Sequence, residues 1–130
     1  MAEGRVLVLK HSIQYDSNSR TIILKIVGNF TVEDADEVIV KVNQLTGNNP
    51  ESNVLADFTQ SPNLVIDRET RRMIQNAALK YMFQKVAFVG VSPVTRMIAK
   101  VIIAVLGKIK ESRFFKTEAE AIAWLKGEKG

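Results

Sequence analysis

The stretch Lys85-Val-Ala-Phe-Val-Gly-Val-Ser-Pro93, running on into Val94-Thr-Arg-Met-Ile-Ala-Lys-Val-Ile-Ile-Ala-Val-Leu106, decides the fold. Residues 85–91 form an almost unbroken apolar run of strand length, the mark of a strand covered on both faces. Ser92-Pro93 then opens a helix. A hydroxyl suits the N-cap, and proline suits the first helical position, where its missing N–H is not needed. Gly107 closes that helix. A buried strand that passes at once into a helix is half of a crossover unit, and crossover units build parallel sheets.

Working outward, Val54-Leu-Ala-Asp-Phe58 reads as another short buried strand, with Asp57 near its end. Apolar residues at 66, 73, 74, 77, 78 and 81 place a helix between the two strands. Towards the N-terminus, Arg5–Tyr15 holds Val6-Leu-Val-Leu9 and the alternating His11-Ser-Ile-Gln-Tyr15, and Thr21-Ile-Ile-Leu-Lys-Ile-Val27 is a second strand. Asp16-Ser-Asn-Ser19 turns the chain between them, so the pair forms a hairpin. Thr31 is placed to cap a helix, with Asp34 as a short-armed capping-box partner. Glu33, Asp34, Asp36 and Glu37 crowd its start, where the helix dipole favours negative charge, so no acid–base cluster is needed to explain them. Apolar positions 35, 38, 39, 42 and 45 give this helix one buried face, and Gly47 ends it. The loops are Asn48–Asn53 and Thr59–Asn63. Towards the C-terminus, Ser112-Arg-Phe-Phe115 is a last short strand, and Thr117-Glu-Ala-Glu120 is a capping box that opens a helix through Leu125.

The expected order is β-β-α-β-α-β-α-β-α. It describes one α/β domain over residues 1–130, with a mixed, mostly parallel five-stranded sheet, an N-terminal β-hairpin at or near one edge, and four helices. At 130 residues a chain buries roughly two-thirds of its unfolded surface and needs no staple. The absence of cysteine excludes a disulfide scaffold and thiolate metal sites. There is no leader pattern, and the longest apolar run, Val101–Leu106, spans six residues. A membrane crossing needs about 20. The expectation is a soluble, cytoplasmic protein. The formal charge of +4 is mild. Arg68, Arg71, Arg72 and Lys80 are interrupted by Asp67 and Glu69, which reads as a solvated helix face and not as a nucleic-acid surface.

Catalytic equipment is lacking. The one histidine, His11, stands in the first strand beside Ser12, whose side chain points to the opposite face. No serine sits in a nucleophile turn, and Gly90 stands alone, so there is no glycine-rich phosphate loop. No cofactor and no metal are expected. In an open α/β sheet, ligands gather beyond the carboxyl ends of the strands. Those ends offer Thr31, Asp57, Thr59 and Ser92 as candidate ligand-binding residues. The plainer alternative is that Thr31 and Ser92 only cap helices and Asp57 bonds nearby backbone.

The helix at 93–106 is more apolar than a core face requires. At about 100° per residue, Val94, Ile98, Val101, Ile102 and Val105 share the core face with Met97 at its edge, while Arg96, Lys100 and Ile103 point roughly opposite. Leu106 lies near the boundary, and Ile109 follows between two lysines. Three readings compete for Arg96, Lys100, Ile103, Leu106 and Ile109: stray exposure, a protein-partner or homodimer surface, and a peripheral membrane contact with basic groups at the phosphates.

The turn Val86-Ala-Phe-Val-Gly-Val-Ser-Pro93, the apolar helix after it, the pair Phe114-Phe115 and the ending Thr117-Glu-Ala-Glu-Ala-Ile-Ala-Trp-Leu125 resemble the SpoIIAA-like branch of the STAS superfamily, which has a STAS/SEC14-type fold. The rest of the chain matches by element order and by Val54-Leu-Ala-Asp-Phe58. The resemblance implies a non-enzymatic binding module. Phosphorylated STAS antagonists carry an Asp-Ser-Ser type motif at the helix after the third strand, and here Asp67 matches the acid while Arg68 and Glu69 replace the serines. A phosphate switch needs a hydroxyl. Thr59 and Ser61 lie upstream, where a turn or capping role is the simpler account. By analogy with lipid-binding relatives of the fold, the expected ligand is small and apolar or lipid-like, with reversible membrane association. The alternative is a signalling protein-interaction module that works without the usual phosphorylated serine.

Overall fold

The computed structural model describes residues 11–46, 52–61, 64–78, 84–93, 96, 97, 100 and 111–127. Five strands form one sheet in sequence order: β1 (Ser12–Asp16), β2 (Thr21–Val27), β3 (Asn53–Gln60), β4 (Lys85–Val89) and β5 (Glu111–Phe115). β1 pairs antiparallel with β2 and forms one edge; all later pairings are parallel. The helices whose bounds fall within the described residues are α1 (Val32–Thr46), α2 (Arg68–Ala78) and α3 (Glu118–Leu125). The fold is the expected mixed α/β sheet opened by a hairpin. The fourth expected helix falls mostly outside the described residues; Pro93, Arg96, Met97 and Lys100 are helical. Arg5–Lys10, Gly47, Ile103, Leu106 and Ile109 also lie outside them.

Strand alternation divides the apolar residues between two layers. Ile26, Phe30, Ala35, Val38, Leu64 and Ile66 are buried on the face carrying α1 and α2, with Ile13, Leu24 and Phe58 packed against them. Ile23, Leu55, Ala87, Val89, Ala121 and Leu125 are buried on the opposite face, under α3, with Phe115 and Trp124 beside them. Thr21 and Ile22 are adjacent in β2 and both fully buried, so that strand is covered on both sides.

Local chemistry sets the element ends. At α1, the Asp34 amide donates to Thr31 Oγ1 at 3.2 Å and the Thr31 amide donates to Asp34 Oδ2 at 3.0 Å. This is the short-armed capping box. At α3 the full box forms between Thr117 and Glu120. At α2, Asp67 Oδ1 accepts from the Thr70 amide at 2.8 Å. In the hairpin, Asp16 Oδ2 accepts from Ser19 Oγ at 2.6 Å, and Arg20 takes φ 55°. His11 comes just before β1, not within it, and is buried where Ser12 is exposed. The Val27 amide donates to His11 Nδ1 at 2.9 Å, so the ring proton sits on Nε2. That atom is 3.2 Å from Asp34 Oδ2 but out of line for a hydrogen bond. The imidazole also tilts against Phe30 at 5.2 Å. His11 thus ties β1 to the turn leading into α1.

Candidate functional site at the carboxyl end of the sheet

Because β2, β3 and β4 run parallel, their carboxyl ends share one rim of the sheet. The rim is stitched together by backbone and hydroxyl bonds. The Gly28 amide donates to Gln60 O at 3.2 Å, and the Gly90 amide donates to Phe115 O at 3.2 Å. Ser61 Oγ donates to Ile26 O and lies 2.9 Å from Gly28 O. Ser61 is therefore buried and committed to the scaffold. Gly90 has φ +69°, and a Cβ there would stand 2.5 Å from Thr59 Cγ2 and 3.0 Å from the Thr59 backbone. Glycine is needed at that point both for the left-handed backbone and for the close approach of β4 to β3.

All four candidate ligand residues fall on this rim, but on different sides of it. Thr31 is exposed at the start of α1, and Ser92 precedes a helical turn in which its carbonyl accepts from the Arg96 amide at 2.8 Å. Arg96 reaches over Phe114, and Phe114 stacks on Phe88, on the face that carries α1 and α2. Asp57 and Thr59 alternate with Phe58 and so project to the other face, with Leu55 and α3. Thr31 and Asp57 therefore lie towards opposite faces of the sheet at this rim. Asp57 is 7% exposed. Its Oδ1 accepts from the Thr59 amide at 2.8 Å and from the Thr59 hydroxyl at 2.7 Å, while Thr59 itself is exposed. Among the described residues, the backbone-bonding role anticipated for Asp57 falls on Oδ1.

The partner-surface candidates divide likewise. Arg96 and Lys100 are exposed, but the Arg96 guanidinium lies 4.5 Å from the Phe114 ring centroid and is engaged there. Met97, expected at the edge of the core face, is 69% exposed. Val65, just before α2, is 75% exposed. Sequence reasoning passed over Val65, although it falls out of phase with the apolar face led by Ile66. The Asp67 carboxyl is held below the usual range chiefly by the Thr70 amide. Among the described residues no group of three or more acidic, histidine or cysteine side chains could hold a metal ion, and no helix is long and apolar enough to cross a membrane.

Comparison with solved structures returns the same architecture. An uncharacterised protein with a SpoIIAA-like fold from Shewanella loihica aligns with a TM-score of 0.69 at 21% identity, over 88% of this chain and 91% of that one. The unphosphorylated anti-sigma factor antagonist SpoIIAA aligns at 0.67 and 13%, over 92% and 99% of the two chains. The phosphorylated Bacillus cell fate determinant SpoIIAA aligns at 0.63 and 12%, over 88% and 98%. These identities show the fold alone. No curated protein matches the chain in sequence. The SpoIIAA-like family profile matches residues 21–126, the span from β2 to the end of α3, and the chain belongs to the SpoIIAA-like family.

Proposed function

We propose that the protein is a non-enzymatic binding module that docks a protein partner on the carboxyl rim of its sheet. The observation that carries the reading is the exposure of Val65 and Met97, at 75% and 69%. They stand beside the openings of successive helices after adjacent strands β3 and β4. Exposed large apolar side chains at the carboxyl end of a parallel sheet, where ligands gather, suit an interaction surface. The anti-sigma factor antagonist that shares the fold supports a protein as the partner. The phosphate switch is not carried over, because Arg68 and Glu69 stand where the resemblance to phosphorylated antagonists would place the acceptor serines. Affinity purification of the wild type against the Val65→Asp/Met97→Asp double variant tests this. A stoichiometric protein held by the wild type and released by the variant supports it. Equal retention by both proteins overturns it.

A second reading, reversible contact with anionic membranes, is favoured by the exposure of Met97 beside the exposed Arg96 and Lys100. It uses Ile103, Leu106 and Ile109 as the inserting residues and a lipid or small apolar ligand as the occupant. Co-sedimentation with vesicles containing phosphatidylserine tests it, with binding lost in Ile103→Glu. Wild-type protein that stays in the supernatant removes it.

A further inference from the structure

We infer that the end of β3 beneath α3 receives a ligand's ammonium or guanidinium group on the unpaired oxygen of Asp57. The inference rests on the reading of the carboxyl rim as the binding end, and it names the chemistry of the side of that rim where Asp57 projects.

A carboxylate withdrawn from water needs hydrogen bonds and, ideally, a cation. Asp57 is 7% exposed, and both of its hydrogen bonds, from the Thr59 amide and the Thr59 hydroxyl, fall on Oδ1. Among the described residues Oδ2 receives none, yet it is not sealed from solvent. The natural cation is Lys25, the residue directly beside Asp57 on β2 and on the same face. Its ammonium goes instead to Glu118 Oε1 at 3.4 Å. On the other flank Asp57 is paired in register with Val89, which is fully buried and apolar. The fold therefore leaves one half-satisfied carboxylate beside an existing Lys–Glu pair, so the three groups sum to a single negative charge. A group that brings one positive charge and N–H donors completes Oδ2 with a charge-assisted hydrogen bond. An anion meets repulsion from Asp57 and Glu118, and a neutral alkane leaves the carboxylate unpaired.

The cation can come from a free amine or from a Lys or Arg side chain of a docked protein, and the test separates the two. Amide shifts of the full chain are followed by NMR during titration with n-butylguanidinium, n-butylammonium and the tripeptide Gly-Arg-Gly, against neutral n-butanol. Saturable shifts at Asp57, Thr59 and Gly90 with a cation, about tenfold weaker or absent with butanol and in Asp57→Asn, support the site. Tighter binding of the tripeptide than of the small cations assigns the source to a protein partner, and the reverse order assigns it to a free amine. Lys25→Met removes the internal competitor from the half-exposed surface and is expected to keep or tighten binding, which covers the case in which Asp57→Asn misfolds. Absence of saturable cation binding, equal binding of butanol, unchanged binding in well-folded Asp57→Asn, or loss of binding in Lys25→Met overturns the inference. Release of a partner by Val65→Asp/Met97→Asp, together with absent cation binding in the titration, would leave the docking rim standing and remove the cation site alone.

Discussion

Gly90→Ala is the sharpest probe of how the rim is assembled. The new Cβ would lie 2.5 Å from Thr59 Cγ2 and 3.0 Å from the Thr59 Cα and amide nitrogen, and the residue would hold φ +69°. The left-handed backbone costs an L-residue about 1 kcal/mol or slightly more. Overpacking adds about 1–3 kcal/mol, and the backbone contacts keep it from being relieved by a rotamer change. The expected loss is therefore about 2–4 kcal/mol, a large share of a total stability of about 5–15 kcal/mol. Gly28 supplies an internal control: its φ is also +69°, but a Cβ there meets nothing within 4 Å. Gly28→Ala should show only the backbone term, about 1 kcal/mol. Urea unfolding measures both, and the midpoint should fall by about 1–2 M in Gly90→Ala with an unchanged slope. Thr59→Ser in the Gly90→Ala background removes Cγ2 but not the backbone contacts, so it should recover part of the loss as a non-additive coupling. If Gly90→Ala proves no more costly than Gly28→Ala, β4 does not approach Thr59 closely and the described rim is wrong.

Thr117→Ala removes the hydroxyl arm of the α3 capping box, which accepts from the Glu120 amide, and leaves the arm from the Thr117 amide to Glu120; it should cost about 1 kcal/mol in the same assay, with Thr117→Ser close to wild type. Asp16 and Asp67 both have carboxyls lowered from the ordinary 3.8, Asp16 chiefly by the Ser19 hydroxyl and Asp67 chiefly by the Thr70 amide. A lowered folded-state value means that their contribution is present above pH 3.8 and is lost as the pH falls below it. Both groups face water, so the effect is small. Asp16→Asn and Asp67→Asn should each flatten the acid limb of a stability profile below that pH and leave its neutral region with the same slope as wild type.

Much of the architecture was legible because local signals agreed with one another. Thr21–Val27 is apolar and β-branched and is a strand over those same bounds. Thr31 with Asp34, and Thr117 with Glu120, announce helix starts through side chains that must reach only three residues. The rim itself follows from parallel pairing. What the residues withheld is which side of the sheet each rim residue serves. Val54–Phe58 is nearly continuous in apolar character, so its alternation carries no polar face to orient it. Asp57 could not be assigned to the α3 side without the registers to Lys25 and Val89. The Lys25–Glu118 pair and the Thr59–Gly90 contact join residues distant in sequence, and nothing local encodes them. Met97 lies at the edge of the core face on an ideal wheel, a place that does not by itself say whether it is covered, and the structure leaves it 69% exposed. The strand ends shifted by one or two residues: β3 runs to Gln60 and β5 starts at Glu111.

The central claim is that the carboxyl rim is where this protein recognises its partner. Photo-crosslinking tests it most directly, with a benzophenone side chain placed at Val65 or Met97 on the rim, and at Ser12 or Gln14 on the antiparallel edge strand as controls. The account predicts one discrete crosslinked protein, captured from both rim positions in the cells of origin and from neither control. Crosslinks that appear equally from β1, or none from either rim position, would contradict it.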